Sequence, residues 1–239
     1  MKRIALFQHE VDTQGPGLLT DCLAQHGYTA ELFAAGQERP RRAQDFAALI
    51  VLGSNHSVHD PEPWIEAELE LLRQALWLDI PVLGHCFGAQ LLARAMHAPV
   101  ARNPWPHIGW QHLWVTPAAR AFFGGRQRVL SFNWHYDGFG IPQGAQRILF
   151  GANCLNKGFR MGRHLALQSH FEVTAADVQA WCAHGDAELA CSWGPAAQSR
   201  AEILRELTQR TSELHQVSHA LYRHWLHTLP RPALVSMLH

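Results

Sequence analysis

The segment GHCFG, residues 84–88, sets Cys86 between two glycines, directly after the apolar run IPVLG and before the helical pattern of Leu91, Leu92, Ala95 and Met96. That order predicts a strand, a tight turn and a helix, with the thiol at the carboxyl edge of a parallel sheet, where open α/β sheets place their ligands. Glycines two residues either side remove side chains that would block the turn or an approaching substrate. The amides that open the helix favour a thiolate. The Phe87 N–H, just after the sulfur, is one of two backbone donors that could hold an oxyanion. These residue types at this spacing point to nucleophilic attack on a carbonyl. A lone thiol is ordinarily a small buried residue, and Cys22, Cys154, Cys182 and Cys191, which lack the glycine frame, read that way.

A thiol nucleophile needs a base, and the base needs an orienter. Among 17 histidines, His170 in LALQSHFEVT stands at a predicted strand end with Glu172 two residues on. Residues i and i+2 of an extended segment point the same way, so Glu172 reaches the ring from behind while the ring faces the thiol. His56 and His59, and the tail histidines His215, His219, His224 and His227, have no Cys or carboxylate partner at ligand spacing, so no metal is expected. Trp105, Trp110, Trp114 and Trp134 read either as an aromatic wall over the pocket or as core and partner-facing residues. Arg39, Arg41 and Arg42 read as a solvated loop.

The elements that must position these groups alternate in the first half of the chain. Residues 3–7, 29–33, 46–53 and 80–84 read as strands, and 17–27 as a helix. A second helix, in 61–79, carries Ile65, Leu69, Leu72 and Leu76 on one stripe. This alternation calls for a doubly wound parallel sheet. Runs at 109–116, 128–132, 146–152 and 164–170 add strands, expected to finish the sheet with an antiparallel portion, and 199–229 reads as a helical tail. The fold expected is α/β, flavodoxin-like, mostly parallel, with a small antiparallel portion. One domain is expected over 1–239, with a C-terminal helical extension from about 175.

Composition narrows the partners. With 239 residues, 47% hydrophobic, the chain can bury a substantial core. Twenty Lys+Arg balance twenty Asp+Glu, leaving no basic field for nucleic acid and no polybasic segment for a membrane surface. No stretch has the roughly 18 apolar residues of a spanning helix. The N-terminal apolar stretch is too short for a signal peptide. Five cysteines without C-x-x-C spacing argue against a disulfide framework. The expectation is a cytoplasmic protein with a small polar substrate and no cofactor. Its oligomeric state is not written in the sequence.

GHCFGAQ resembles the G-x-C-x-G-x-Q nucleophile motif of class I (triad-type) glutamine amidotransferases, and QSHFEVT is similar to their Q-F-H-P-E-V-T segment. The similarity extends to VLGSNHSVHDPEPW (51–64), RNPWPHIGWQHLWVT (102–116) and NWHYDGFGIPQGA (133–145), and so to stand-alone members akin to the amidotransferase domain of GMP synthase. The resemblance implies a thioester mechanism. Cys86 would attack the glutamine carboxamide, His170 would protonate the departing ammonia and then activate water, and Glu172 would orient His170. Main-chain N–H groups at Phe87 and at Ser54, beside Gly53, would hold the oxyanion. Gln90 would contact the glutamine head group, and His135, Tyr136 and Asp137 would line the pocket. The ammonia acceptor is unidentified: since the chain lacks an S-G-G-x-D-S loop, it would lie on another chain, such as a separate synthetase subunit, or not exist. Hydrolysis of another γ-glutamyl amide, and a non-catalytic binding protein that kept the fold, are the alternatives. Gly53-Ser54-Asn55 departs from the family's Gly-Gly-Pro, which strains the turn if it needs positive φ. Ala89, Ser169 and Phe171 depart from its His, Phe and Pro.

Overall fold

The structure is a computed structural model that describes residues 2–10, 15–34 and 37–229. The last ten residues of the expected helical extension therefore lie outside the described residues. Strands β1 (Lys2–Gln8), β2 (Tyr28–Ala34), β3 (Leu49–Val51), β4 (Val82–His85), β5 (Val100–Val115), β6 (Arg128–Phe139), β7 (Gln146–Phe150), β8 (Gly158–Met161) and β9 (His164–Leu167) form one sheet in the order β2-β1-β3-β4-β9-β8-β7-β5-β6. Pairs from β2 through β9 on that side are parallel, and those from β9 to β6 are antiparallel. The parallel part with its covering helices is the expected α/β fold.

Alternation along the strands supplies both faces. Ile4 and Leu6 of β1 join one core with Leu19 and Leu23 of helix α1 (Leu19–Gln25) and Leu214, Val217 and Leu221 of helix α7 (Leu207–Leu226). Ala5 and Phe7 face the other core, with Ile65, Leu69 and Leu72 of α2 (Pro63–Trp77) and Leu91 and Leu92 of α3 (Phe87–Ala95). Between β9 and α7 lie α4 (Ala175–His184), α5 (Asp186–Cys191) and α6 (Arg200–Leu204). Thr174 and Ser199 open α4 and α6 with capping boxes, each accepting from the third helical amide.

Several sequence expectations are corrected. The central strand expected over 46–53 is only Leu49–Val51, whereas β5 and β6 run well beyond the segments 109–116 and 128–132. Pairing decides this: β5 and β6 form a long antiparallel ribbon whose register shifts between Arg102 and His107, which lets prolines at 104 and 106 sit in it. The tail helix is broken at Arg205–Glu206, with Glu206 at φ 53 between α6 and α7. Arg39 is not solvated. It is 8% exposed and donates to Glu68 Oε1 at 2.6 Å, an ion pair that pattern reading cannot see because its partner lies on α2.

Candidate active site

Cys86 follows β4 and caps α3 with φ 50 and ψ −107, a backbone conformation that an L-residue adopts only under constraint. The constraint is close approach on both sides. A Cβ on Gly84 would lie 2.5 Å from the Gly88 carbonyl, and one on Gly88 would lie 2.1 Å from Val51 O. The two glycines thus let α3 press onto β4 and β3; their first service is to the turn, not to the substrate's approach. The Phe87 N–H belongs to the first turn of α3, where no intrahelical acceptor exists. Its ring is buried against Trp64 and His9.

His170 follows β9 and is tied to β6 by a bridge in which its N–H donates to Phe132 O at 2.8 Å. The chain bends at 168–169 and again at 171–172, on either side of that bridge, so the extended run expected through His170 and Glu172 is absent. The contact nevertheless forms: His170 Nδ1 lies 2.6 Å from Glu172 Oε1, with both side chains buried. Trp181 of α4 meets the imidazole edge-on at 4.7 Å. Burial alone pulls the His170 pKa down, but Glu172 and then Cys86, which also hydrogen-bonds to it, overcome this and raise it to about 10. For Glu172, burial is outweighed by His85 and His170, which lower it to about 2. Imidazolium and carboxylate are the forms this site favours.

A further layer backs the carboxylate. Glu172 Oε2 lies 3.2 Å from His85 Nδ1, off the hydrogen-bonding direction, and the Tyr222 hydroxyl of α7 donates to His85 Nε2 at 3.2 Å. Burial lowers the His85 pKa and keeps that ring neutral. Also from α7, Ser218 Oγ donates to Phe171 O at 2.6 Å, and His215 Nε2 lies 2.9 Å from Val173 O.

The thiol opens on a cavity of about 260 Å³ lined by Ser54, Asn55, His56, Ser57, Cys86, Gln90, Arg102, Trp134, His135, Tyr136, Asp137 and Glu188. Ser54, Gln90, His135, Tyr136 and Asp137 thus share one cavity with Cys86, and His170 and Glu172 are buried outside its lining. Neither Ser54 nor Asn55 takes positive φ, so the turn carries no such strain. Glu10 holds it, accepting from Ser54 Oγ at 3.3 Å and Asn55 N at 3.0 Å. Behind it the Gly53 carbonyl meets His9 Nδ1 at 2.8 Å, and His9 Nε2 meets Glu68 at 3.0 Å.

The scan against family models matches residues 16–177 to glutamine amidotransferase class-I. The chain belongs to that family. A protein of Salmonella typhimurium named as glutamine amidotransferase-like is 28% identical over 92% of this chain and 95% of its own length. The solved structure of a glutamine amido transferase from Methylobacillus flagellatus is 32% identical, covers both chains fully and superposes with a TM-score of 0.93. The glutamine-hydrolysing GMP synthase of Aeropyrum pernix is 31% identical over 49% of this chain, which spans 21% of that enzyme.

Within this amidotransferase fold, the tryptophans part ways. Trp134 lines the thiol cavity, and Trp105 lines an adjoining crevice of about 230 Å³. Trp110 is core, donating to Ile203 O, and Trp114 stacks on Phe150. Cys191 is exposed beside that crevice rather than structural. Sequence reasoning missed Gln168, whose Nε2 lies 3.8 Å from the Cys86 sulfur, although it stands inside the quoted QSHFEVT motif. His85 stood inside GHCFG, but its partner Tyr222 is too distant in sequence to signal it. Arg102 opened the RNPWPHIGWQHLWVT stretch without being singled out, and Lys157 and Glu188 carried no local signal. His56, expected to have no carboxylate partner, does have one four residues on, Asp60 Oδ2 at 3.1 Å, while His59 meets Val100 O and His224 packs on Phe122. Among the described residues no helix is long and apolar enough to cross a membrane.

Proposed function

We propose that this protein hydrolyses the side-chain amide of glutamine through a thioester on Cys86, with His170 as acid and base and Glu172 as orienter. The carrying observation is the constrained Cys86 at the sheet's carboxyl edge, set against an imidazole whose far nitrogen meets a buried carboxylate at 2.6 Å. The Cys86 thiolate attacks the amide carbon. Phe87 N–H and the Ser54 main chain hold the oxyanion. The His170 imidazolium gives its Nε2 proton to the departing nitrogen as the C–N bond breaks, and ammonia leaves. Water then attacks the thioester while His170 takes its proton, and glutamate and the thiolate are released. Gln90, His135, Tyr136 and Asp137 line the cavity that receives the glutamine. The ammonia passes to an acceptor on a separate synthetase subunit. A cytoplasmic location fits five free cysteines, four of them buried.

A glutamine-analogue chloroketone should label the chain once, and Cys86→Ala should abolish both labelling and ammonia release. Labelling that persists in Cys86→Ala removes Cys86 from the mechanism.

A second reading is favoured by one feature. The thiol cavity and the crevice under Trp105 and Trp193 share Arg102, Tyr136 and Glu188, leaving room beyond the glutamyl group for an amine substituent. A γ-glutamyl hydrolase would turn over one member of a γ-glutamyl amine panel quickly, while a synthetase-dependent glutaminase would stay slow on all of them without its partner.

A further inference from the structure

Lys157 immediately precedes β8, and its side chain is wholly buried. Burying an ammonium is costly unless an opposite charge or function compensates. Its Nζ donates to Asn133 Oδ1 at 2.8 Å and to His135 Nε2 at 2.8 Å, both from β6. The direction of the second bond follows from the ring's other nitrogen: Nδ1 lies 2.8 Å from Asp137 O and must carry the proton, leaving Nε2 as acceptor. Asp137 O also accepts from Gln90 Nε2 at 3.0 Å; Gln90 Nε2 reaches Gln168 Oε1 at 3.3 Å, and Gln168 Nε2 faces the Cys86 sulfur at 3.8 Å. Ser169, next to the imidazole, donates to the same Asn133 Oδ1 at 2.8 Å.

Among the described residues, the ionisable groups whose charges bear on this ammonium are His135 from β6, His107 from β5, stacked on His135 at 4.8 Å, Cys154 from the loop before it, and Cys86 from the turn. None is a carboxylate. His107 and His135 are pushed down, first by burial and then by Lys157, and stay neutral. Two sulfurs remain as sources of negative charge, and the Cys86 sulfur is the one that the proposed reaction ionises.

We propose that Lys157 is a positioning residue of the nucleophile: its ammonium is a second buried counter-charge of the Cys86 thiolate, beside the His170 imidazolium, and its bonds lock the His135, Gln90 and Gln168 chain that faces the sulfur. This rests on Cys86 being the nucleophile, which chloroketone labelling tests separately. Burial lowers the Lys157 pKa to about 8, with Cys154 and Cys86 acting in the opposite sense, so its ammonium is the form present at neutral pH.

The test is iodoacetamide alkylation of Cys86 in the full chain, read as a function of pH by mass spectrometry of the Cys86 peptide, which separates it from the exposed Cys191. In Lys157→Met the pH midpoint should rise by about one unit. Lys157→Gln, which keeps a donor without charge, should behave as Lys157→Met, whereas Lys157→Arg should restore the midpoint if it folds. A purely structural lysine would lower stability and leave the midpoint in place, and that result in folded Lys157→Met or Lys157→Gln overturns the proposal. Should neither variant fold, the wild-type chain decides. Coupling is reciprocal, so alkylating Cys86 should lower the NMR titration midpoint of Lys157 Nζ by about the same unit, and an unmoved midpoint overturns it.

Discussion

The turn that carries Cys86 is fixed by backbone against backbone, Gly84 on Gly88 and Gly88 on Val51, all within adjoining elements β3, β4 and α3. The bend that carries His170 and Glu172 is held instead by side chains arriving from far along the chain: Ser218, His215 and Tyr222 of α7, and Trp181 of α4. A contact with no room for a methyl fails as a whole when one is added. A set of separate hydrogen bonds and ring contacts loses its members one at a time. The nucleophile side is therefore expected to respond to substitution all-or-none, and the base side by degrees.

The largest effect should come from Gly88→Ala, whose Cβ would sit 2.1 Å from Val51 O. Because both partners are backbone, α3 must move off the sheet. A loss of about 3 kcal/mol or more is expected by urea denaturation, at the upper end of overpacking effects, together with loss of chloroketone labelling. A variant that labels normally would show that the nucleophile turn is as yielding as the base segment.

Glu172→Gln should come next. It keeps the shape but loses the charge that raises His170, so kcat should fall about 10²–10⁴-fold, the range of triad orienters. The same variant isolates a pH effect. The Glu172 pKa is lowered from 4.5 to about 2, so its contribution is full above 4.5 and is lost as pH falls through about 2. The His170 pKa is raised from 6.5 to about 10, so its contribution is full below 6.5 and is lost as pH rises through about 10. The melting-temperature difference between wild type and Glu172→Gln should be greatest between pH 4.5 and 6.5 and shrink on either side. A difference that does not vary with pH would mean that the pair is not ionised in the fold.

Ser218→Ala should cost about 1 kcal/mol, the net worth of one buried hydrogen bond, and lower kcat only several-fold with KM unchanged. Tyr222→Phe should be the smallest change, since His85 Nε2 loses its donor while His85 Nδ1 keeps its place beside Glu172. Its kcat should fall by less than that of Ser218→Ala. A Tyr222→Phe loss matching that of Glu172→Gln would place His85 and Tyr222 among the groups that set the charge of His170.

Local chemistry and periodicity were enough for the parallel half of the sheet and for the turn at Cys86. Alternating apolar runs specify which strand face is buried, and two glycines around a cysteine after such a run signal a tight turn into the next helix. The pairing of His170 with Glu172 was also legible, because two residues of separation keep them neighbours even though the segment bends instead of extending. The length of the β5–β6 ribbon, the burial of Arg39 on Glu68, the support of His85 by Tyr222 and the seat of Lys157 beside His135 were decided only by tertiary structure. Each joins groups brought together from different elements of the fold. Hydrogen bonding and the cost of burying charge act on distance in space, and one chain read alone gives only distance along itself.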